Sequence, residues 1–416
     1  LILLAAGTGL SSCQIGKSYT RPDMPLPARL DTLTQDTASI GDLSWWELYN
    51  DTTLQQLIHR ALTYNKDLKI ASARMNELAA LKRIDFANMF PQATARLNGN
   101  RETTNYGGDN FDADPELSLT ASISWELDLW GNLRWARDHS TAGFLASVEN
   151  CRAVKMGLVA QVAQSYFELM ALDNELAIVR RTLEARREGV RLAEIRFKGG
   201  LTSEIVFQQA KVELAKTATM VPDLERRISL KESEIALLTG DFPYAVNRNV
   251  LPEEIQLPDA LPLGLPSTLL ERRPDIRKAE RELMAAHAEV GLAYTNMFPR
   301  LALTATLGAE SETLRALLKS PYSSLAGNLL SPLFAMGKNR AALKAKRAAY
   351  EGAVAEYEKT VLTAFKETHN AIINFNKIKD IYESRRQLAE ASRTAVELAQ
   401  LQYINGVIGY LDLLDA

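Results

Sequence analysis

Residues Glu116 to Trp130 read ELSLTASISWELDLW. Leu117, Leu119, Ala121, Ile123, Trp125, Leu127 and Leu129 alternate with Ser118, Thr120, Ser122, Ser124, Glu126 and Asp128. Strict period-two alternation places every apolar side chain on one face of a strand. The run covers thirteen residues, where a soluble strand has about five or six. It is long enough for the roughly 9–11 tilted residues of a membrane-barrel strand. Two readings are open at this point: a half-buried strand of a soluble sheet, or a barrel strand facing lipid.

Upstream, Gln92 to Asn100 alternates in the same way, with Ala93, Ala95, Leu97 and Gly99 against Thr94, Arg96, Asn98 and Asn100. The Gly-, Asn- and Asp-rich stretch Arg101 to Pro115 reads as a loop, so 92–130 forms a hairpin. Before it, Asp51 or Thr52 is the expected N-cap of one helix running to about Met89, which Pro91 ends. After it, Gly131-Asn132 opens a very long helix. Val162, Tyr166, Leu169, Leu172, Leu176, Val179 and Leu183 recur along it with the coiled-coil period of about 3.5. From Asn132 to Phe197 it would measure about 100 Å at about 1.5 Å per residue. Gly199-Gly200 breaks it, and a helix returns over about Thr202 to Leu238. Thr239 to Pro266 holds five of the fifteen prolines and reads as a linker.

The plan then starts again. Asn88-Met89-Phe90-Pro91 recurs as Asn296-Met297-Phe298-Pro299, an offset of 208. Beyond the hairpin the offset is 206: Gly131 meets Gly337, Arg134 meets Arg340 and Gly200 meets Gly406. Leu301, Leu303, Ala305 and Leu307 form one strand of a second hairpin over 300–334, and Leu325, Gly327, Leu329 and Leu333 a weaker partner. The chain is therefore read as a tandem repeat, 51–238 and 267–416, joined by the linker 239–266. The second copy lacks a helix matching 202–238, and the sequence is taken as a fragment at both ends.

Four long amphipathic strands leave two open edges, and in a bilayer each unpaired backbone group costs several kcal/mol. Other copies of the chain must complete the sheet. Two copies give eight strands with a filled interior; three give twelve and a wet lumen, which suits the Ser, Thr, Arg and Asn face. The expected fold is thus mixed and mostly α: long coiled-coil-like helices in an α-barrel, plus four transmembrane β-strands per chain in a trimeric twelve-stranded barrel.

The 416 residues leave room for two or three domains of about 150 residues. The 48 basic and 51 acidic residues, net charge −3, exclude a basic nucleic-acid footprint. Leu1 to Leu10 is apolar and resembles the end of a signal peptide, 1–12. Leu10-Ser11-Ser12-Cys13 has the form of a lipoprotein cleavage box, so Cys13 is expected to carry a covalent lipid at the head of an extended arm, 13–50. A Cys13–Cys151 disulfide is the alternative; otherwise Cys151 is a small buried apolar residue. No catalytic or metal constellation stands out. His59, His139, His287 and His369 lie on separate segments without ligand spacing, and neither a P-loop nor GxSxG occurs. No enzyme, cofactor or metal site is expected. Lys338 to Lys346 reads as a solvated helix face, or as a contact near lipid headgroups.

Ser44-Trp45-Trp46, Asp51, Leu54, Asn65 and Asp67-Leu68 resemble the opening motif of the TolC/OprM/NodT outer-membrane factor family. Leu269-Leu270-Glu271-Arg272-Arg273-Pro274-Asp275-Ile276 and Ser331-Pro332-Leu333-Phe334 resemble its other signatures, and Tyr19-Thr20-Arg21-Pro22 its lipoprotein branch. The resemblance implies a homotrimeric exit duct in the outer membrane of a Gram-negative cell. A periplasmic adaptor and an inner-membrane pump of the resistance-nodulation-division type would feed it with small molecules or ions. It implies adaptor-contacting turns at 196–203 and 402–410, carrying Phe197, Gly199, Gly200 and Gly406. It implies a periplasmic gate of Tyr403, Asp412 and Asp415, the two acids three residues apart on one helix face; an acid at a helix start is equally at home without such a role. A duct for protein secretion and a periplasmic coiled-coil scaffold are the competing readings.

Overall fold

A computed structural model describes residues 14–25, 51–104, 112–248 and 271–416. Cys13, Trp45-Trp46, Leu269-Leu270 and the greater part of the linker lie outside the described residues. The elements are α1 (Thr52–Tyr64), α2 (Lys66–Ala87), β1 (Gln92–Thr104), β2 (Asp112–Leu127), α3 (Asn132–Lys198), α4 (Glu204–Thr239), α5 (Pro274–Thr295), β3 (Arg300–Ser311), β4 (Pro321–Leu330), α6 (Lys338–Ile404) and α7 (Tyr410–Asp415).

The strands form one antiparallel sheet in the order β1-β2-β3-β4. The registers repeat with the sequence: Gln92 stands opposite Ser124, and Arg300 and Leu330, their counterparts at offsets 208 and 206, stand opposite each other. Polar residues share one face, where Thr94 and Ser122 hydroxyls meet at 2.9 Å. The other face carries Leu97, Ile123, Trp125, Leu307, Leu325 and Leu329, all exposed. So continuous an apolar face marks a surface made for another apolar phase or partner.

Four expectations about element ends are corrected. The expected single helix from 52 to 89 is two, because Asn65 interrupts it. The Asn65 backbone is extended at ψ 134, its amide donates to the Leu238 carbonyl, and its side-chain oxygen accepts from the Leu68 N–H. The expected loop 101–115 is shorter: both strands run on, with Arg101 opposite Pro115 and Thr104 opposite Asp112. At its other end β2 stops at Leu127 rather than Trp130, because the Asp128 carboxylate turns to cap α3, accepting from the Leu133 and Arg134 N–H groups. The second hairpin likewise ends at Leu330, so Leu333 is not part of β4.

The described chain forms two compact units that cut across the repeats. One gathers the arm 14–25 with 71–151 and 271–362, and holds all four strands. Here α5 lies against α3, with Trp135 over Gly291, where a methyl group on the glycine would stand 2.3 Å from the ring. Trp130 stacks on Phe298 at 5.2 Å and donates to the Pro299 carbonyl, tying the Phe-Pro motif to the start of α3.

The other unit gathers 51–70, 152–248 and 363–416. Its core packs α1, α3 and α4 through Leu54, Ile58, Val162, Tyr166, Leu169 and Ile235, each wholly buried. The heptad residues of α3 from Val162 to Val179 are all buried. Arg248 bridges Asp173 and Glu232 beside this core, and the two carboxylates hold its guanidinium charge firmly in place. None of the described helices is long and apolar enough to cross a membrane. Cys151 is half-buried on α3, its sulfur 3.7 Å from the Ser72 hydroxyl on α2.

Candidate functional site: the helical turns

The ends of α3 and α6 turn in the same way. At the first, Leu201 N–H donates to the Arg196 carbonyl and Gly200 N–H to that of Phe197, each at 2.9 Å. At the second, Val407 N–H donates to the Gln402 carbonyl at 2.9 Å and Gly406 N–H to that of Tyr403 at 3.1 Å. Both are Schellman caps, which need a left-handed residue after the helix. Gly200 at φ 73° and Gly406 at φ 74° supply it. Nothing lies within 4 Å of where a Cβ would stand at either glycine, so backbone conformation alone demands them. Gly199, by contrast, lies just past the end of α3 and donates with helical spacing to the Ile195 carbonyl at 2.9 Å.

Between the turns lies a small core of Ala193, Ala210, Tyr403 and Tyr410. Phe197 stacks on Phe207 at 6.1 Å with the rings 14° apart, fixing the start of α4 against the end of α3. Two cations cap the aromatics: Arg196 lies 4.7 Å from the Tyr403 ring centroid and Lys211 lies 4.1 Å from that of Phe207. Tyr410 is buried, which pushes its hydroxyl pKa up, with Arg186 opposing. A Cβ at Gly189 would come within 3.3 Å of the Tyr410 hydroxyl, so the glycine lets α7 approach α3.

The three expected gate residues fall in different surroundings. Tyr403 is buried at 7 % exposure, packed on Tyr410 at 5.7 Å. The Asp412 carboxylate accepts from the Gly409 N–H at 3.0 Å, one half of a capping box whose other half a glycine has no side chain to make. Asp415 is exposed and lines a groove of about 570 Å³ with Gln208, Glu213 and Lys216. The structure thus brings Tyr403 and α7 into one cluster and leaves both carboxylates on its solvent side.

A second constellation escaped the sequence reading. The arm's Arg21 pairs with Glu280 on α5 through two bonds of 2.7 Å. Tyr19, Trp135 and Tyr350 place their rings 5.6–5.9 Å from His287. Burial lowers the His287 pKa, opposed by a hydrogen bond with the Lys17 backbone, and burial pushes the Tyr19 hydroxyl up to about 12. The Tyr-Thr-Arg-Pro motif was the one signal available, and it named no partner.

The geometry of paired hairpins, long helices and matched turns agrees with the comparisons. OprJ of Pseudomonas aeruginosa, an outer membrane protein, is 31% identical over 98% of this chain and 87% of its own length. The cation efflux system protein CusC of Escherichia coli K12 is 27% identical over 100% of this chain and 92% of its own. The solved structure of the outer-membrane channel OprN superposes with a TM-score of 0.88 at 31% identity, covering 97% of this chain and 92% of that one. The family model described as outer membrane efflux protein matches residues 57–241 and 265–416, and the chain belongs to that family.

Proposed function

We propose that three copies of this outer-membrane efflux protein close a twelve-stranded barrel and form the exit duct of a tripartite system. Small molecules or ions would enter from a periplasmic adaptor and an inner-membrane pump of the resistance-nodulation-division type. The observation that carries the reading is the sheet: four strands, an exposed apolar face, a polar face, and no partner strand for either outer edge among the described residues. Such edges are untenable in lipid unless other copies pair with them. The duct itself is passive, so cargo choice rests with the pump. Cys13, in this reading, carries a lipid that anchors the arm.

The turns around Gly200 and Gly406 are the proposed adaptor contacts, supported by their matched caps and exposed surroundings. Asp412 and Asp415, repeated three times, would form two carboxylate rings that attract cations. Deleting the gene is expected to sensitise cells to small toxic compounds, and the purified protein to conduct in planar bilayers. Unchanged susceptibility together with no conductance removes the reading. Asp412→Ala combined with Asp415→Ala is expected to weaken divalent-cation block in single-channel recordings; undiminished block removes the gate assignment alone.

A further inference from the structure

We infer that the seam between copies is a second instance of the chain's own junction between hairpins, with β4 of one copy paired to β1 of the next in a fixed register: Leu329 opposite Leu97. The inference rests on the multi-copy barrel proposed above and adds the residue-level contact.

The chain contains two kinds of strand junction. One lies within a hairpin, and the second hairpin reproduces the first when β1 is moved by 208 residues and β2 by 206. The other lies between hairpins, where β2 meets β3 with Ile123 opposite Ala305 and Ala121 opposite Leu307. The same operation carries β2 onto β4. Run backwards, it carries β3 onto β1. Ile123 becomes Leu329 and Ala305 becomes Leu97; Ala121 becomes Gly327 and Leu307 becomes Gly99.

An independent observation agrees. Leu97 and Leu329 both lie on the exposed apolar face, at 66% and 68% exposure. A slip of one residue would set that face against the polar one. Only slips of two keep the faces aligned, and these put Leu97 opposite Gly327 or Ser331. The helices follow the strands. Trp135 packs on Gly291, and the His139 ring nitrogen lies 3.1 Å from the Ala285 carbonyl. The operation turns these contacts into Ala341 against Arg83 and Ala345 against Glu77, between α6 of one copy and α2 of the next. All four residues are exposed in the single chain, whereas Trp135 is buried at 7%.

Directly opposed residues have Cβ atoms about 4.5–5.5 Å apart, while diagonal neighbours lie about 7–8 Å apart, a separation poorly suited to a disulfide. The test uses full-length protein from outer membranes, in a Cys151→Ser background. Leu97→Cys with Leu329→Cys is expected to convert monomer into covalent dimer and trimer on non-reducing gels. Leu97→Cys with Gly327→Cys, and with Ser331→Cys, is expected to stay monomeric. A ladder from a shifted pair instead of Leu97 with Leu329 overturns the register and leaves the shared barrel standing. No ladder from any pair in a particle of three-chain mass does the same. No ladder in a particle of single-chain mass overturns both.

Discussion

Helices α3 and α6 each have 67 residues and occupy the same place in the repeat, yet they live in different surroundings. Between residues 152 and 198, α3 buries Leu158, Val162, Tyr166, Leu169, Leu172 and Leu176 against α1 and α4. Charged pairs flank that seam, with Arg180 on Glu225 and Lys231 on Glu168, each at 2.8 Å. Over residues 363 to 404, α6 buries Ala364, Ile372 and Tyr403 but exposes Ile373, Ile378, Ile381, Leu388 and Leu401. Its pairs Lys377–Asp380 and Arg386–Glu383 join residues three apart on the same helix. An apolar stripe thus records that a helix is covered, while the covering partner decides how much the stripe stabilises.

Side-chain truncation separates the two helices most widely. Leu169→Ala on α3 is expected to cost about 2–5 kcal/mol, as for a fully buried leucine. Ile378→Ala on α6 should stay within about 0.5 kcal/mol in the single chain, as for an exposed site. Chemical denaturation of the detergent-solubilised monomer reads both; equal costs would mean that α6 is covered after all. Next comes Asn65→Ala, which removes the bond to the Leu238 carbonyl and the cap on α2. A loss of about 1–2 kcal/mol is expected, restored in part by Asn65→Asp, which keeps the cap but not the donor.

Effects no larger, and equal to each other, are expected at the two turns. Gly200→Ala and Gly406→Ala should each cost about 1–2 kcal/mol, because a left-handed alanine is strained and no neighbour obstructs either site. Unequal costs would show that the turns differ in more than backbone conformation. The smallest effect is on pH. Burial lowers the His287 pKa in the folded chain, so the unfolded chain binds more protons near its ordinary value of about 6.5. That share of stability is complete above the unfolded value and is lost as pH falls towards the folded one. A shallow fall in Tm from pH 7.5 to 5.5 is expected, and His287→Gln should flatten it.

Much of the architecture was legible because it was periodic. Leu117 to Leu129 announced a strand by alternation, Val162 to Val179 a helix seam by spacing, and the Phe-Pro and glycine matches a duplication. What escaped was set by single side chains acting at a distance. Asn65 ends a helix without glycine or proline, through a carbonyl 173 residues away; a capping residue inside a helical pattern was the signal to heed. Arg101 to Thr104 looked like loop by composition, but the facing strand supplied partners that override local preference. Trp135 on Gly291 is a large–small fit between distant segments, with no local pattern to betray it. At the gate, the spacing of Asp412 and Asp415 was visible, but the Gly409 N–H held by Asp412 was not.

The clasp between Arg21 and Glu280 spans 259 positions of the chain, and this sets an order of events. A polypeptide delivered amino end first presents the guanidinium long before its carboxylate arrives. Until α5 exists, the leading segment can reach only the start of α3, where Ile15 donates to the Trp130 carbonyl and accepts from the Trp135 ring, and the slot around Trp135 has no floor. Arrival of the second repeat's first helix is therefore what fastens the beginning of the molecule, so a chain stalled or clipped before α5 should betray itself by a loose front end.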